Sequence, residues 1–275
     1  MKRVVDTHGY ASSDRPAEAI VEDIAREAGE LALAHFRSLA SLPVERKGHL
    51  DLVTKADRQV EEFLVARLRE AFPDDGVFGE EGGEIPGTSG RIWVIDPIDG
   101  TFNFVRGGQN WAISIGLFEN RSPTFGVIYA PIRQLMLVGG RSVGARLNGK
   151  PVKPLPALDM SAASVGFSFH PSIPTSDRIE VVRFLSDELQ INFRLCGSAT
   201  LSLVEVAMGE TDGYISLGDS TWDVMAALPI LESLGLSHTI DWSRTGLSEK
   251  LRFACGNDEL LSMLVPLLRS VTHAA

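Results

Sequence analysis

Apolar residues recur along this chain at two different periods, and the change from one to the other organises it. "SSDRPAEAIVEDIAREAGELALAHFRSL" carries Ile20, Ile24, Leu31 and Phe36 at helical spacing, with Asp14 or a neighbouring serine as its cap and Pro16 in its first turn. Val60, Leu64 and Leu68 mark one face of a second helix over Ala56 to Phe72, which Pro73-Asp74-Asp75-Gly76 ends. From residue 77 to about 150 the pattern becomes that of strands. "RIWVI", "WAISIGLF", "TFGVIYAP", "QLMLVGG" and "GARLNGKPV" are short apolar or alternating runs set off by Gly, Pro and Asn turns.

Beyond the proline-rich "KPVKPLPALD", strands and helices alternate: "ASVGFSF" then "SDRIEVVRFLSDEL", "INFRL" then "SATLSLVEVAMG", "DGYISL" then "WDVMAALPILESLG". "DELLSMLVPLLRSV" closes the chain as another helix. The pattern predicts a mixed α+β and α/β chain in two closely joined parts: an N-terminal α+β subdomain over 1–155 and a C-terminal α/β subdomain over 156–275. No internal repeat and no low-complexity segment interrupts them.

Composition narrows the partners. Of the 275 residues 44% are hydrophobic and 23% charged, the balance of an ordinary globular protein, and the formal net charge is −10. An acidic surface argues against nucleic acid or an anionic membrane as the main partner, because both ask for basic residues. Cys196 and Cys255 make neither a disulfide framework nor a metal-binding spacing, so a reducing compartment is expected. "MKRVVDTHGYASSDRP" has only a short apolar pair after its basic residues, unlike a signal peptide, and no run approaches the ~18 apolar residues of a membrane span. The expected location is the cytoplasm.

The chemistry is carried by acids at the ends of apolar elements. "WVIDPIDGTFNF" finishes an apolar strand with Asp96 and Asp99, "GEEGG" places Glu80 and Glu81 in a turn after "GVF", "HLDLVTKAD" puts Asp51 in a short strand, and "STWDVMAAL" puts Asp223 in the first turn of a helix. Taken singly, Asp223 also reads as a helix cap, Glu80-Glu81 as a solvated turn, and Asp-Pro as a turn starter. Taken together, several carboxylates in one crevice could not all stay ionised, since like charges raise one another's pKa. Divalent cations resolve that conflict, and carboxylate and carbonyl oxygens form the shell that Mg²⁺ or Mn²⁺ prefers. Gly100-Thr101 then supplies an anion-binding turn. Carboxylates, cations and such a turn point to metal-assisted hydrolysis of a phosphate ester.

At these residues the chain resembles the inositol monophosphatase family. "DLVTKAD", "GEEGG", "WVIDPIDGTFNF" and "WDVMAALPILES" follow that family's signature segments in order, over about residues 17 to 270. The resemblance implies a layered αβαβα sandwich of the sugar-phosphatase type and a Mg²⁺-dependent phosphoric monoester hydrolase with two or three bound ions. It assigns the first metal to Glu80, Asp96 and the carbonyl of Ile98, and the second to Asp96, Asp99 and Asp223. A third ion would use Glu80. Thr101, hydrogen-bonded to Asp51, would act with Glu80 on the attacking water. Substrate contacts would come from Ile98, Asp99, Gly100, Thr101 and Asp223, and from Gly197, Ser198 and Ala199 in "RLCGSAT".

Some of these positions keep alternatives. Lys47 matches a basic residue near the metals in several relatives or is a solvated loop lysine. Ser198 also reads as a helix N-cap. Cys196 has no neighbouring histidine to activate it and reads as a small buried hydrophobe. Inositol-specific members carry an acid six positions before the Trp of the W-D motif, and here that position is Ser216. The resemblance therefore leaves the alcohol open: an inositol phosphate, histidinol phosphate or a 3′(2′),5′-bisphosphate nucleotide on the same core. A homodimer is expected, with the apolar meander of 111–139 as its interface. A regulatory binding protein that keeps the fold is the competing class; loss of an acid or of Thr101 would have favoured it, and none is missing. No G-x-S-x-G and no G-x-G-x-x-G occurs, which removes serine hydrolases and dinucleotide oxidoreductases.

Overall fold

Alternation of buried side chains along two sheets explains the layers of this computed structural model, which describes residues 16–39, 44–48 and 51–271. In chain order the first part comprises α1 (Ala17–Phe36), β1 (Val44–Gly48), β2 (Asp51–Thr54), α2 (Lys55–Ala71), β3 (Gly76–Gly79), β4 (Gly83–Ile85), β5 (Ile92–Asp99), α3 (Thr101–Val105), β6 (Ala112–Glu119), β7 (Ser122–Ala130), β8 (Leu135–Gly140), β9 (Gly144–Leu147) and β10 (Lys150–Pro151). The second comprises β11 (Ser164–Phe169), α4 (Thr175–Arg183), β12 (Asn192–Arg194), α5 (Ala199–Ala207), β13 (Gly213–Asp219), α6 (Thr221–Val224), α7 (Ala227–Ser233), β14 (Ser237–His238), β15 (Leu251–Gly256) and α8 (Asp258–Ser270).

β3 to β10 form one sheet in the order β10-β9-β8-β7-β6-β5-β3-β4, and β11 to β15 form another in the order β12-β11-β13-β15-β14. One face of the larger sheet buries Trp93, Ile95, Ile113 and Ile115 against Val21, Ile24, Val60 and Leu64 of α1 and α2. Its other face, with Val94, Ala112 and Ile128, meets α5 and α7, which also cover Tyr214, Phe253 and Cys255 of the smaller sheet. The far face of that sheet, with Val165, Ile215 and Ala254, is closed by Val181 of α4 and Leu260 and Leu264 of α8. The result is the layered αβαβα sandwich, with period-2 strands feeding two cores at once.

The ends of the helices follow local chemistry. The Thr54 hydroxyl accepts the N–H of Ala56 at 3.0 Å, and Asp57 returns the bond by accepting the N–H of Thr54 at 2.8 Å, a reciprocal cap for α2. Ser198 Oγ accepts from Leu201 N at 3.1 Å to start α5, and Asn257 Oδ1 accepts from Leu260 N at 2.8 Å to start α8. The proposed Asp14 cap of the first helix lies outside the described residues.

Three local expectations change. The single helix expected over "WDVMAALPILESLG" is split into α6 and α7, because Pro229 has no N–H to return to the carbonyl of residue 225. The helix over "SDRIEVVRFLSDEL" ends in one wide turn, Phe184–Glu188, closed by Leu189 N to Phe184 O at 3.0 Å. β15, for which the pattern gave no element, lies antiparallel between β13 and β14. The apolar side chains of 111–139, expected to supply a dimer interface, are largely enclosed in the chain's own two cores.

Candidate active site

In a regular strand, residues three apart point to opposite faces, so Asp96 and Asp99 should not meet. Strand β5 brings them together with one extra residue. Asp96 pairs with Ser114 and Asp99 with Ala112, so three steps on β5 match two on β6. Pro97 falls in this bulge, where its missing N–H removes no ladder bond. Ile98 consequently shares the outer core with Trp93 and Ile95, while both aspartates turn toward the middle layer. Gly100 follows at φ +93°, a left-handed turn that a side chain would block, since a Cβ there would stand 2.5 Å from the carbonyl oxygen of Asn110. Thr101 then opens α3.

Asp223 arrives from the other half of the chain. Its place at the third position of α6 is also that of a cap, and its Oδ2 accepts the N–H of Ser220 at 2.7 Å. Asp99 reaches across in return: its Oδ2 accepts from the N–H of Thr200 at 2.8 Å and from the hydroxyl of Ser198. Thr200 Oγ1 donates to the backbone carbonyl of Asp223 at 2.8 Å. One oxygen from each of Asp96, Asp99 and Asp223 lies within 4.8 Å of the others.

Such crowding has an electrostatic cost. Burial, then the charges of Glu80, Asp99 and Asp223, raise the Asp96 carboxyl well above the ordinary carboxylate range. Burial, then Asp219 and Asp99, do the same to Asp223. Asp99 is raised by burial to about 6, the bonds from Ser198 and Thr200 holding it lower than burial alone would. Among the described residues no cationic side chain forms an ion pair with these three. Glu80, in the turn between β3 and β4, lines the same cleft outside the close triad. The turn is fixed from below by Glu61 of α2, whose carboxylate accepts the N–H of Glu81 at 2.9 Å and that of Gly82.

The partner of Thr101 is Asp57, and this corrects the assignment to Asp51. The Thr101 hydroxyl stands 3.0 Å from Asp57 Oδ1 and 3.0 Å from the carbonyl of Ile98, with one proton to share. Asp51 belongs to β2, three residues before the cap of α2; its side chain, like that of Lys47, lies outside the described residues. Asp57 is the reciprocal cap of α2, and its other oxygen accepts from Thr54 N and from the Thr54 hydroxyl at 2.6 Å. The sequence signal was available: Thr-x-x-Asp is a capping pattern, and Asp57 and Glu61 fall on the same apolar stripe as Val60, Leu64 and Leu68.

Glu80, Asp99, Gly100, Thr101, Gly197, Ser198, Ala199 and Asp223 line one cleft of about 670 Å³. Asp96 lies beneath it with Ile98. Ser198 proves to be both a wall of the cleft and the cap of α5. Cys196 is partly enclosed, close to Ser198 O (3.0 Å) and Ser202 Oγ (3.1 Å), and burial raises its thiol pKa, which leaves it inert as a nucleophile. Ser216 does not face the cleft. It is fully enclosed in β13, where its hydroxyl donates to Leu251 O at 3.4 Å and accepts the N–H of Asp219 at 3.1 Å. Counting residues from Trp222 missed Asp219, Ser168 and Lys250, all of which do line the cleft.

The chain is similar to known proteins. Residues 14–273 match the inositol monophosphatase family. The chain is 35% identical over 223 residues to the Nus factor SuhB of Xylella fastidiosa, covering 80% of each. Over 210 residues it is 35% identical to the inositol-1-monophosphatase of a Synechocystis species, covering 74% of this chain and 73% of that one. Of solved structures, the IMPase of Thermotoga maritima superposes with a TM-score of 0.79 at 28% identity, over 92% of this chain and 97% of the other. The extragenic suppressor protein suhB of Bartonella henselae superposes with a TM-score of 0.82 at 27% identity, over 94% and 98%.

Proposed function

The chain belongs to the inositol monophosphatase family, and from that membership we propose that it is a Mg²⁺-dependent phosphoric monoester hydrolase acting on small phosphorylated alcohols. The observation that carries this reading is the triad of buried carboxylates within 4.8 Å of one another, beside a hydroxyl held by a fourth acid.

The donor set fits a hard divalent ion. All the oxygens are carboxylate or carbonyl, three acids are pressed toward their neutral forms, and an oxygen shell of this kind suits Mg²⁺ with Mn²⁺ as substitute. In this reading Glu80, Asp96 and the carbonyl of Ile98 would hold one ion, and Asp96, Asp99 and Asp223 a second. Bound there, the ions would supply Lewis acidity to the phosphoryl oxygens and lower the pKa of water.

The chain's own groups do the rest. The Thr101 hydroxyl can direct its proton to Asp57 Oδ1. Its oxygen then offers a lone pair to a proton of the attacking water, and Asp57 receives the proton that Thr101 passes on. Burial raises the Asp57 carboxyl pKa, which suits a group that must accept a proton. Glu80 faces the same water from the other wall, and the Gly100-Thr101 turn holds the phosphate through its N–H groups.

The wider reading has two subdomains, 1–155 and 156–275, meeting at this site, a cytoplasmic setting and a homodimer. Nucleic acid and membrane are left out as main partners on charge, and among the described residues no helix is long and apolar enough to cross a membrane. A second reading is favoured by one observation: a relative of equal identity is named a Nus factor, so this chain would be a regulatory binding protein on the same fold. Retention of every acid and of Thr101 supports the enzyme. The test is a panel of phosphate esters assayed with Mg²⁺ and with EDTA. Hydrolysis that chelation abolishes and Mg²⁺ restores is expected; a folded, Mg²⁺-saturated protein that hydrolyses none of them overturns the reading in favour of the binding protein.

A further inference from the structure

The end of the cleft away from the acid triad is built by three strand ends. β11 and β13 run parallel, so Ser168 and Phe169 close one strand beside Leu217 of the other. β15 runs antiparallel to β13, which brings its start, and Lys250 just before it, to the same edge. Crevices at this edge of α/β sheets are where ligands bind.

Asp219 arrives there through a second extra residue. Leu217 pairs with Arg252 and Asp219 with Leu251, so two steps on β13 match one on β15. Gly218, at φ +103°, makes the bend, and a Cβ on it would lie 2.6 Å from His170 Cβ. Simple alternation would turn Asp219 outward with Leu217, into the core that α4 and α8 cover. The bulge turns it to the side of Tyr214 and Ser216 instead. Tyr214 donates to Asp219 Oδ2 at 2.6 Å, the Ser168 hydroxyl donates to Oδ1, and the Asp219 N–H bonds to Ser216 Oγ. Ser216 thus holds the backbone of the residue that stands on the cleft wall.

We propose that Asp219 is the specificity-determining residue for the alcohol part of the substrate, its carboxylate accepting a hydrogen bond from a hydroxyl of the leaving alcohol. The inference rests on the phosphatase reading. A carboxylate offers about four acceptor positions, so the bonds from Tyr214 and Ser168 fix its direction without exhausting it. Both holders are anchored, Tyr214 being fully enclosed, so the acceptor is rigid and discriminates by geometry. Asp219 is separate from the three acids that crowd within 4.8 Å. Lys250, bonded to Ser220 Oγ at 2.6 Å and lying 5.7 Å from the Trp222 ring centroid, brings a positive charge to the same end. That charge disfavours a cationic alcohol and the Asp219 carboxylate an anionic one, so the pair together favours a neutral, polyhydroxylic alcohol.

The experiment compares kcat/KM on two esters under saturating Mg²⁺: myo-inositol 1-phosphate, whose alcohol carries further hydroxyls, and phenyl phosphate, whose alcohol carries none. A lost charge-assisted hydrogen bond corresponds to a factor of about 10 to 150, so Asp219→Asn lowers the ratio of the first to the second by that factor. Ser168→Ala, which removes one holder, lowers the same ratio in the same direction by a smaller factor. It carries the test if Asp219→Asn does not fold. The Mg²⁺ concentration for half-maximal rate is expected to move less than threefold. An unchanged ratio with both esters hydrolysed, or a large shift in the Mg²⁺ requirement, overturns the role of Asp219 alone. Failure of the wild-type protein to hydrolyse either ester overturns the phosphatase reading and this inference with it.

Discussion

Thr101 Oγ1 and Asp57 Oδ1 stand 3.0 Å apart across 44 residues of chain, and the same carboxyl group caps the helix it starts. One side of Asp57 is therefore anchored to Thr54 while the other faces the hydroxyl at the cleft. If this pair moves the proton, Thr101→Ala and Asp57→Asn each lower kcat by roughly 10² to 10⁴, the range for a lost proton-transfer partner. KM changes less, because the backbone N–H at 101 is retained. Asp51→Asn stays near wild type. A steady-state comparison of the three variants decides: loss in Asp51→Asn equal to that in Asp57→Asn would return the role to Asp51.

Asp96 is the most crowded of the acids, buried and facing the charges of Glu80, Asp99 and Asp223. Asp96→Asn removes a negative charge from that crowd. Turnover falls by well over tenfold, more than ~1.4 kcal/mol of transition-state stabilisation, while the melting temperature in EDTA rises. Retention of a tenth or more of wild-type kcat would refute the bridging role.

Acid crowding also fixes a pH dependence. Burial raises Asp99 to about 6 in the folded chain, and burial with acid crowding raises Asp96 and Asp223 well above the ordinary carboxylate range, against ~3.9 for an unfolded aspartate. The folded state then binds more protons than the unfolded one, so stability is greatest at low pH within this window and falls as pH rises from about 4 through 6 and beyond. In EDTA the melting temperature should drop between pH 5 and pH 8. Saturating Mg²⁺ should reverse the slope, because the ion binds the ionised carboxylates. A melting curve in EDTA that is flat or rises over this interval contradicts the raised values.

Ser198 ties an acid of the buried triad to a helix start. Its hydroxyl donates to Asp99 and accepts from Leu201 N at 3.1 Å. Ser198→Ala costs about 1 kcal/mol of stability through the lost cap. It also leaves Asp99 with fewer donors, so its pKa rises further and the Mg²⁺ requirement increases at pH 6 more than at pH 8. Calorimetric titration with Mg²⁺ at both pH values measures this; an equal effect at both would leave only the capping role.

Much of the site was legible because its signals are local. "WVIDPIDGT" contains the strand, the two acids, the proline and the glycine that together make the bulge and turn, and "STWD" contains both cap and acid. What escaped were relationships set by folding across distance. Asp51 and Asp57 flank the same Thr54, and the Thr-x-x-Asp spacing that singles out Asp57 announces a helix cap, not a contact with Thr101 44 residues away. Ser216 and Asp219 lie on one strand, and counting assumes that the strand alternates without interruption. β15 was missed because "LRFACG" is a short apolar run whose meaning comes from the neighbours on either side.

Strand β5 changes reading frame at Pro97. Before it, even-numbered residues face the middle layer and odd-numbered ones the outer core; after it, Ile98 is outside and Asp99 inside. The site consequently depends on a parity that no single side chain carries. Replacing Pro97 or Ile98 by another residue keeps the count, and the two acids still converge. Deleting either one would remove the extra residue: on a regular strand the two aspartates, then two steps apart, would still share the middle-layer face, and what would be lost is the bulge that leads into the turn at Gly100. What the two residues between the acids supply is therefore their number, which makes the bulge and sets an outward Ile98 between two inward acids.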